Sequence, residues 1–378
     1  VTWDYLIVGA GFAGSVLAER LASQRGATCL VLDRRDHIGG NAYDFTDRAG
    51  VLVHAYGPHY FRTNSQRIVD YLSQFTEWHP VEYRILSWTH GQFWPFPINL
   101  NTFEQLLGRP STSEEMAATL AQWRVPIAEP RNSEEVILSQ VGERLYEMFF
   151  KNYTRKQWRR DPRDLDASVC GRIPVRTNRD DRFVTEKFQA LPARGYAAMF
   201  GKMLAHPKIE VRLKADFHEV REQVRWRQLI YTGPIDAYFD RCFGPLPYRS
   251  LRFERETHER EFFQPAMQVN YPNDHDYTRI VEIKHATGQV LPVTTIVREF
   301  PQDYGPGAEP YYPIPAPDTR ALYERYAERA AAEAGVTFVG RLATYRYYNM
   351  DQVVGMALAE FERLALPAEM PTRGSSGA

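Results

Sequence analysis

At 378 residues the chain can enclose two or three cores, and 46 Lys plus Arg against 47 Asp plus Glu leave a formal net charge of −1. That balance excludes broad electrostatic attraction to nucleic acid or to an anionic membrane, so any anion site must be local. The three cysteines, Cys29, Cys170 and Cys242, are odd in number and far apart without metal-ligand spacing; no metal site is expected, and a reducing, cytoplasmic setting is. No apolar run approaches a membrane span, the chain opens on a strand instead of a signal peptide, and residues 373–378 read as a loose tail.

Tyr5-Leu6-Ile7-Val8 reads as a buried strand that runs into Gly9-Ala10-Gly11-Phe12-Ala13-Gly14, after which Ser15 to Arg25 has helical spacing. A second strand, Thr28 to Leu32, ends on Asp33. Strand, G-x-G-x-x-G, helix, strand and acid form a dinucleotide fingerprint in which each part has a mechanical task. Gly9 makes the tight turn, Gly11 lets backbone approach a pyrophosphate, and Gly14 lets the helix sit close on the sheet. The helix N-terminus faces the phosphates, and Asp33 accepts from a ribose diol.

Arg34 to Ala42 carries a second glycine pair, Gly39-Gly40, followed by Asn41. Acid, base and then I-G-G is the flavoprotein form of the fingerprint, so FAD is favoured over NAD. His54, Tyr56, Gly57, Pro58 and His59 follow in a cluster rich in His and aromatics, where Gly-Pro pins the backbone and presents His59.

Between Asn99 and Arg160 the pattern changes to helices announced by caps: Thr102 with Gln105, Thr112 with Glu115, and Asn132 with Glu135. Ile137, Val141, Leu145 and Met148 share one face of the third. Its end, Phe149-Phe150-Lys151-Asn152-Tyr153-Thr154-Arg155-Lys156-Gln157-Trp158-Arg159-Arg160, interleaves aromatics with cations. Tyr153 and Trp158, flanked by charge, are expected to be exposed platforms for a base or sugar. From Arg172 through Arg176, Arg179 and Arg182 to Phe183 the basic patch continues, for which a bound diphosphate is the economical explanation.

Lys208–Val211, Arg227–Tyr231, Leu251–Glu256, Met267–Tyr271, Arg279–Lys284 and Val293–Phe300 are strand-like runs. With a hairpin over Tyr83–Phe93 turning at His90-Gly91 they suggest an antiparallel sheet. Thr232-Gly233 closes one strand with a turn of the kind that lies against a dinucleotide. Near the end, Val336–Val339 is a strand, Gly340-Arg341 a turn, and Asp351 begins a helix with Val354, Ala357, Leu358 and Phe361 on one side.

These segments together resemble the UDP-galactopyranose mutase family over nearly the whole chain. The fingerprint is widely shared, whereas Tyr153-Thr154-Arg155-Lys156-Gln157-Trp158, Arg172-Ile173-Pro174-Val175-Arg176, Asn270-Tyr271-Pro272 and Tyr311-Tyr312-Pro313-Ile314 are specific. The resemblance implies an α/β fold: a Rossmann-like FAD-binding domain (1–75, 190–205, 214–250 and 318–378), an inserted helical domain (99–188) with a mobile substrate loop at about 158–172, and an antiparallel β-sheet domain (76–98, 206–213 and 251–317). It further implies a flavin-dependent isomerase that interconverts UDP-galactopyranose and UDP-galactofuranose without net redox change, reduced FAD providing N5 as the nucleophile at the anomeric carbon. A homodimer and an external reductant of the NAD(P)H kind are expected partners.

Carried over by motif, Arg172 and Arg279 would grip the diphosphate beside His59. Tyr83, Phe149, Phe150, Tyr153, Thr154, Trp158, Phe183, Asn270, Tyr311, Tyr312, Tyr347 and Asn349 would hold the nucleotide-sugar. The cofactor would lie on Gly9, Gly11, Phe12, Ala13, Gly14, Asp33, Arg34, Gly40, Asn41, His54, Tyr56, Gly57, Thr232, Gly233, Arg341, Met350, Asp351 and Gln352. Asn349 stands where many members have Asp, Phe183 where many have Tyr, and Arg62 where many have a second His, which bears on sugar and ribose contacts. The alternatives are a net-redox flavoprotein oxidase of the amine-oxidase-like branch and a catalytically silent dinucleotide sensor.

Overall fold

Two large sheets organise the chain in a computed structural model that describes residues 1–305 and 307–364; the tail expected at 373–378 lies outside these. The first sheet is parallel throughout, in the order Ile209–Arg212, Cys29–Leu32, Thr2–Val8, Arg225–Tyr231, Val336–Phe338. Its inner strands are continuous apolar runs because both faces are covered, and Tyr5, Leu6, Ile7 and all of Cys29–Leu32 are buried. One face packs on the helices Phe12–Arg25, Tyr196–Leu204 and Met350–Arg363, and on the other Leu6, Leu30, Leu229 and Tyr231 cluster with Phe217 and Tyr238. The chain therefore enters this Rossmann-like sheet three separate times. The first helix begins at Phe12, directly after Gly11 and three residues before the expected Ser15, and stops at Gly26 in the left-handed region.

The second sheet runs Tyr312–Pro313, Tyr248–His258, Thr294–Asp303, Arg279–Val281, Gln268–Asn270, Ile85–Thr89, Gln92–Phe96. It is antiparallel except where Gln268–Asn270 lies parallel to Ile85–Thr89. The expected hairpin is present and turns at His90-Gly91, both with positive φ, as a two-residue hairpin loop requires. Three expectations are corrected. The strands near Lys208–Val211 and Arg227–Tyr231 belong to the parallel sheet, the first at its edge beside Cys29–Leu32 and the second between Thr2–Val8 and Val336–Phe338. The strand from Arg279 to Lys284 ends at Val281, because Glu282 turns inward to accept the Phe263 and Gln264 N–H groups and Lys284 donates to the carbonyls of Glu261, Leu291 and Val293. A third sheet, Phe61–Thr63, Phe188–Pro192 and Trp78–Pro80, had no sequence signal strong enough to register.

The helical segment comprises Leu100–Leu107, Ser113–Trp123, Ser133–Leu145 and Lys151–Trp158. The first is capped by Asn99, not Thr102: the Asn99 side chain accepts from the N–H groups of Asn101 and Thr102, and Thr102 is the reciprocal partner in the box. Thr112 and Asn132 cap as expected. Ile137, Val141 and Leu145 are buried, but the helix does not run straight to Met148. Gly142 breaks it (φ 76°, ψ 179°), where a Cβ would stand 2.1 Å from the Trp123 carbonyl oxygen. A wide π turn over Tyr146–Phe150 follows and swings Met148, Phe149 and Phe150 inward. Trp158 is not an exposed platform. It is 5% exposed and packs in the cluster of Leu145, Phe150, Leu165, Cys170 and Ile314, because the helix ends there and its final turn faces the core.

Candidate active site

The first helix has no side-chain cap on Gly11 and no acid in its first turn, so its N-terminal N–H groups have no side-chain acceptor there, beside the close-set glycines Gly11 and Gly40. The glycines here divide by cause. A Cβ on Gly14 would lie 1.9 Å from the Gly9 carbonyl oxygen, and one on Gly9 2.1 Å from Thr232 Oγ1, so the protein's own packing demands both. A Cβ on Gly11 would meet nothing closer than Gly40 Cα at 3.6 Å, an ordinary contact. The bare backbone at Gly11 thus answers to something outside the chain, and an uncapped helix end beside it fits a pyrophosphate. Asp33 closes the cradle, accepting from the N–H groups of Ala10 (2.9 Å) and Arg35 (3.0 Å). Thr232 Oγ1 donates to Val8 O at 2.7 Å and ties the cradle to the neighbouring strand.

Several residues expected at the cofactor have other local partners. Phe12 points into the core against Phe61, Tyr196 and Phe200 and offers only its backbone. Arg34 pairs with Glu309 on the surface, and Asn41 Oδ1 accepts from Arg35, whose guanidinium lies over Tyr56 at 4.4 Å. His54 and His59 are both neutral at physiological pH: burial lowers them to about 3 and about 4. The His59 amide donates to His54 Nδ1, and His59 Nδ1 lies 2.9 Å from the Gly57 carbonyl, which fixes the proton there and leaves Nε2 as an acceptor.

From His59 a cavity of about 1260 Å³ extends across the junction of the two large sheets and the helical segment. Arg172, Arg279 and Arg341 all line it. Arg172 stacks over the Tyr347 ring at 4.4 Å, and Arg341 lies 5.3 Å from the same ring while donating to the carbonyls of Tyr311 and Tyr348. Among the described residues neither guanidinium has a carboxylate partner. Arg279 is anchored instead by Glu299, its directly paired neighbour on the adjacent strand, with Nε 3.3 Å from Oε1. Burial raises the Glu299 carboxyl and Arg279 opposes that rise. Burial also pushes the Tyr347 phenol up, but Arg172, Arg341 and Arg279 prevail and bring it down to about 8.

Part of the cavity is walled by aromatic rings. Phe149, Phe150, Tyr153, Phe183 and Phe96 surround it, with Phe183 edge-on to Tyr83 at 5.2 Å. A polar relay crosses its floor: Tyr83 OH donates to Gln268 Oε1 (2.8 Å), and Gln268 Nε2 donates to Asn270 Oδ1 (2.8 Å), leaving the Asn270 amide group free to donate. Gln268, Gln157 and Glu299 escaped sequence reading. The i, i+2 spacing of Gln268 and Asn270 was the available signal, since it places both on one face of a strand. Thr154, Trp158, Tyr312 and Asn349 also border the cavity, Thr154 directed toward Cys170 Sγ. Tyr311 is turned away: it packs on Tyr56 and Phe253, as strand alternation with Tyr312 dictates. Asn349 is the N-cap of Met350–Arg363, and its own N–H is taken by Gln352 Oε1, so that helix starts one residue before the expected Asp351.

A Rossmann-like cradle and a separate cleft lined by arginines and aromatic rings define a dinucleotide-binding class of protein. Comparison with known proteins narrows this. A family profile described as UDP-galactopyranose mutase matches residues 148–347, and one for an NAD(P)-binding Rossmann-like domain matches 7–75. The chain is 40% identical to a probable UDP-galactopyranose mutase of Klebsiella pneumoniae, covering 94% of this chain and 93% of that one. It is 35% identical to dTDP-fucopyranose mutase of Escherichia coli, covering 93% and 96%. The fold matches a crystal structure of reduced UDP-galactopyranose mutase with TM-score 0.76 over 96% of this chain and 94% of that one, at 17% identity. It also matches a putrescine oxidase with TM-score 0.60 at 14% identity, over 96% and 99%, a likeness of fold alone. The chain belongs to the UDP-galactopyranose mutase family, whose members are flavoprotein isomerases.

Proposed function

We propose that the protein interconverts UDP-galactopyranose and UDP-galactofuranose. The observation that carries this reading is the convergence of Arg172 and Arg279, 107 positions apart in sequence, on one cavity with Arg341, two of the three without a carboxylate partner among the described residues. A cleft with that surplus of charge suits a diphosphate leaving group, and each charge-assisted contact contributes on the order of 1.5–3 kcal/mol.

The Gly11 cradle fits FAD, which when bound and reduced supplies N5 as a nucleophile for the anomeric carbon. The chain's own groups do the rest. Arg172 and Arg279 hold the diphosphate and take up the charge that grows on it as the glycosidic bond lengthens. Neutral His59 offers an acceptor and no cation, so it adds no competing charge on that side. Phe149, Phe150, Tyr153 and Phe183 hold the base, with Asn270 as donor to it, and Glu299 keeps Arg279 aimed.

The E. coli relative supports a second reading, that the substrate is dTDP-fucopyranose. The two substrates differ at the base methyl, the ribose 2′-hydroxyl and the sugar 6-hydroxyl. Enzyme reduced with dithionite should convert UDP-galactofuranose, followed by chromatography, without consuming stoichiometric reductant, and oxidised enzyme should not. A kcat/KM higher for dTDP-fucofuranose would transfer the assignment, and one reductant consumed per product would replace it with an oxidase. Arg172→Ala and Arg279→Ala should each lower turnover roughly a hundredfold or more while retaining FAD, with Lys restoring only part.

A further inference from the structure

A second cavity, of about 370 Å³, lies behind the first, between the end of Lys151–Trp158 and the segment Pro245–Arg249. Arg159, Arg160 and Arg249 line it, with Asp303 as the one acid. Arg249 is 2% exposed. Its Nε donates to the Gln157 carbonyl at 3.2 Å and its Nη1 to Asp303 Oδ1 at 2.5 Å, while Nη2 is buried without an acceptor. A buried guanidinium nitrogen left unmatched is costly, and among the described residues Asp303, 81% exposed at its side chain, is the one carboxylate paired with Arg249. Arg159 crowds in with a further charge, held in the left-handed region (φ 52°) that positions it at the cavity rim, and Arg160 reaches away to Asp318. With Arg160 drawn off to Asp318, Arg159 and Arg249 face one solvated acid across a space roomy enough for a phosphate group, an arrangement that an oxyanion would complete.

We propose that this cavity is a second anion site, taking a phosphate-class oxyanion such as orthophosphate or pyrophosphate, and that its occupancy is communicated to the substrate cleft. Two contacts provide the route. Gln157 receives Arg249 on its carbonyl and faces Arg279 Nη2 with its side-chain oxygen at 3.5 Å, and Trp158 and Ile314 wall both cavities. An anion held between Arg159 and Arg249 fixes the Gln157–Trp158 turn and with it the setting of Arg279, and by linkage the effect is mutual. The binding claim stands whether or not the nucleotide-sugar reading does.

The test is calorimetric titration of pyrophosphate, at ionic strength matched with chloride, into the FAD-loaded, full-length Arg172→Ala/Arg279→Ala double variant, in which the cofactor covers the Gly11 cradle and the main cleft keeps only Arg341 of its three arginines. About one equivalent should still bind. Adding Arg159→Gly, which suits the left-handed backbone and so keeps the fold, should weaken that binding at least fivefold, and Arg249→Met should abolish it. Orthophosphate binding about as tightly as pyrophosphate would mark a single-phosphate site, and a preference for pyrophosphate a two-phosphate site. No heat in the double variant, or heat untouched by Arg159→Gly, would overturn the proposal. In the enzyme with both cleft arginines, where pyrophosphate also competes with UDP, occupancy of the second site should change UDP affinity by a few fold beyond that competition, and this excess should vanish in Arg159→Gly.

Discussion

Glycines that look alike in the fingerprint differ in what enforces them. Gly11→Val should leave the apo fold and its thermal midpoint nearly intact while abolishing flavin absorbance, because the Cβ finds only ordinary contact within the chain. Gly14→Ala should instead lower stability by about 3 kcal/mol or more, since its Cβ collides with the Gly9 carbonyl. Equal losses of fold in both would show Gly11 to be structural. Tyr347 gives a pH prediction. Its phenol ionises at about 8, so below that pH Arg172 and Arg341 face a neutral ring, and above it they face a phenolate that competes with a diphosphate. UDP affinity should fall on the order of tenfold as pH rises through 8, the size of one like charge added nearby. Tyr347→Phe should flatten the profile, and a profile unchanged by that substitution would remove Tyr347 from the cleft's electrostatics.

At the scale of elements, Lys156 joins two parts of the site. Its ammonium is surrounded by the carbonyls of Tyr271, Asp274, His275 and Tyr277, at 2.5 to 3.2 Å. The helix that carries Tyr153 and Gln157 is thereby clamped to the turn that leads into Arg279. Lys156→Met should raise the substrate KM several-fold with a smaller loss in kcat and lower the thermal midpoint, in keeping with about 1–3 kcal/mol of lost donors. Arginine should not rescue, because a planar fork cannot serve four converging carbonyls. An unchanged KM would leave Lys156 with a purely local role. In sequence, Lys156 reads as one more cation in a basic stretch. Charge was legible there, but the partner carbonyls lie more than 110 positions away. Trp158 shows the same limit from the other side: flanking charges suggested exposure, and only the packed Leu165–Cys170 segment explains its burial.

For the whole molecule, the fingerprint, the helix caps at Thr112 and Asn132, and the hairpin at His90 were readable because each depends on neighbours within a few residues. The strand Ile209–Arg212 could not be assigned to its sheet, since four residues carry too little pattern to choose between two sheets, and only pairing with Cys29–Leu32 decides. The Gly142 break was hidden because its cause, the Trp123 carbonyl, belongs to another helix. The sheet order also carries a prediction. A fragment of residues 1–205 contains only two of the five parallel strands, Thr2–Val8 and Cys29–Leu32, and lacks the helix Met350–Arg363 that covers the first helix. Expressed alone it should show no cooperative thermal transition by circular dichroism. A sharp melt would mean that the first strand pair is self-sufficient.

The meeting of Gly9 with Thr232 and of Ala13 with Gly340 has a consequence for biosynthesis. The first residues of the phosphate cradle leave the ribosome some 330 positions before the last, which at about 5–20 residues per second means a delay on the order of tens of seconds. For the first part of that interval, until Ile209–Arg212 and Arg225–Tyr231 are made, Thr2–Val8 and Cys29–Leu32 are without the strands that flank them in the finished sheet, so their apolar edges call for a chaperone or a rapid provisional pairing. Cofactor loading is thus a late event, and a nascent chain stalled before Gly340 should emerge colourless.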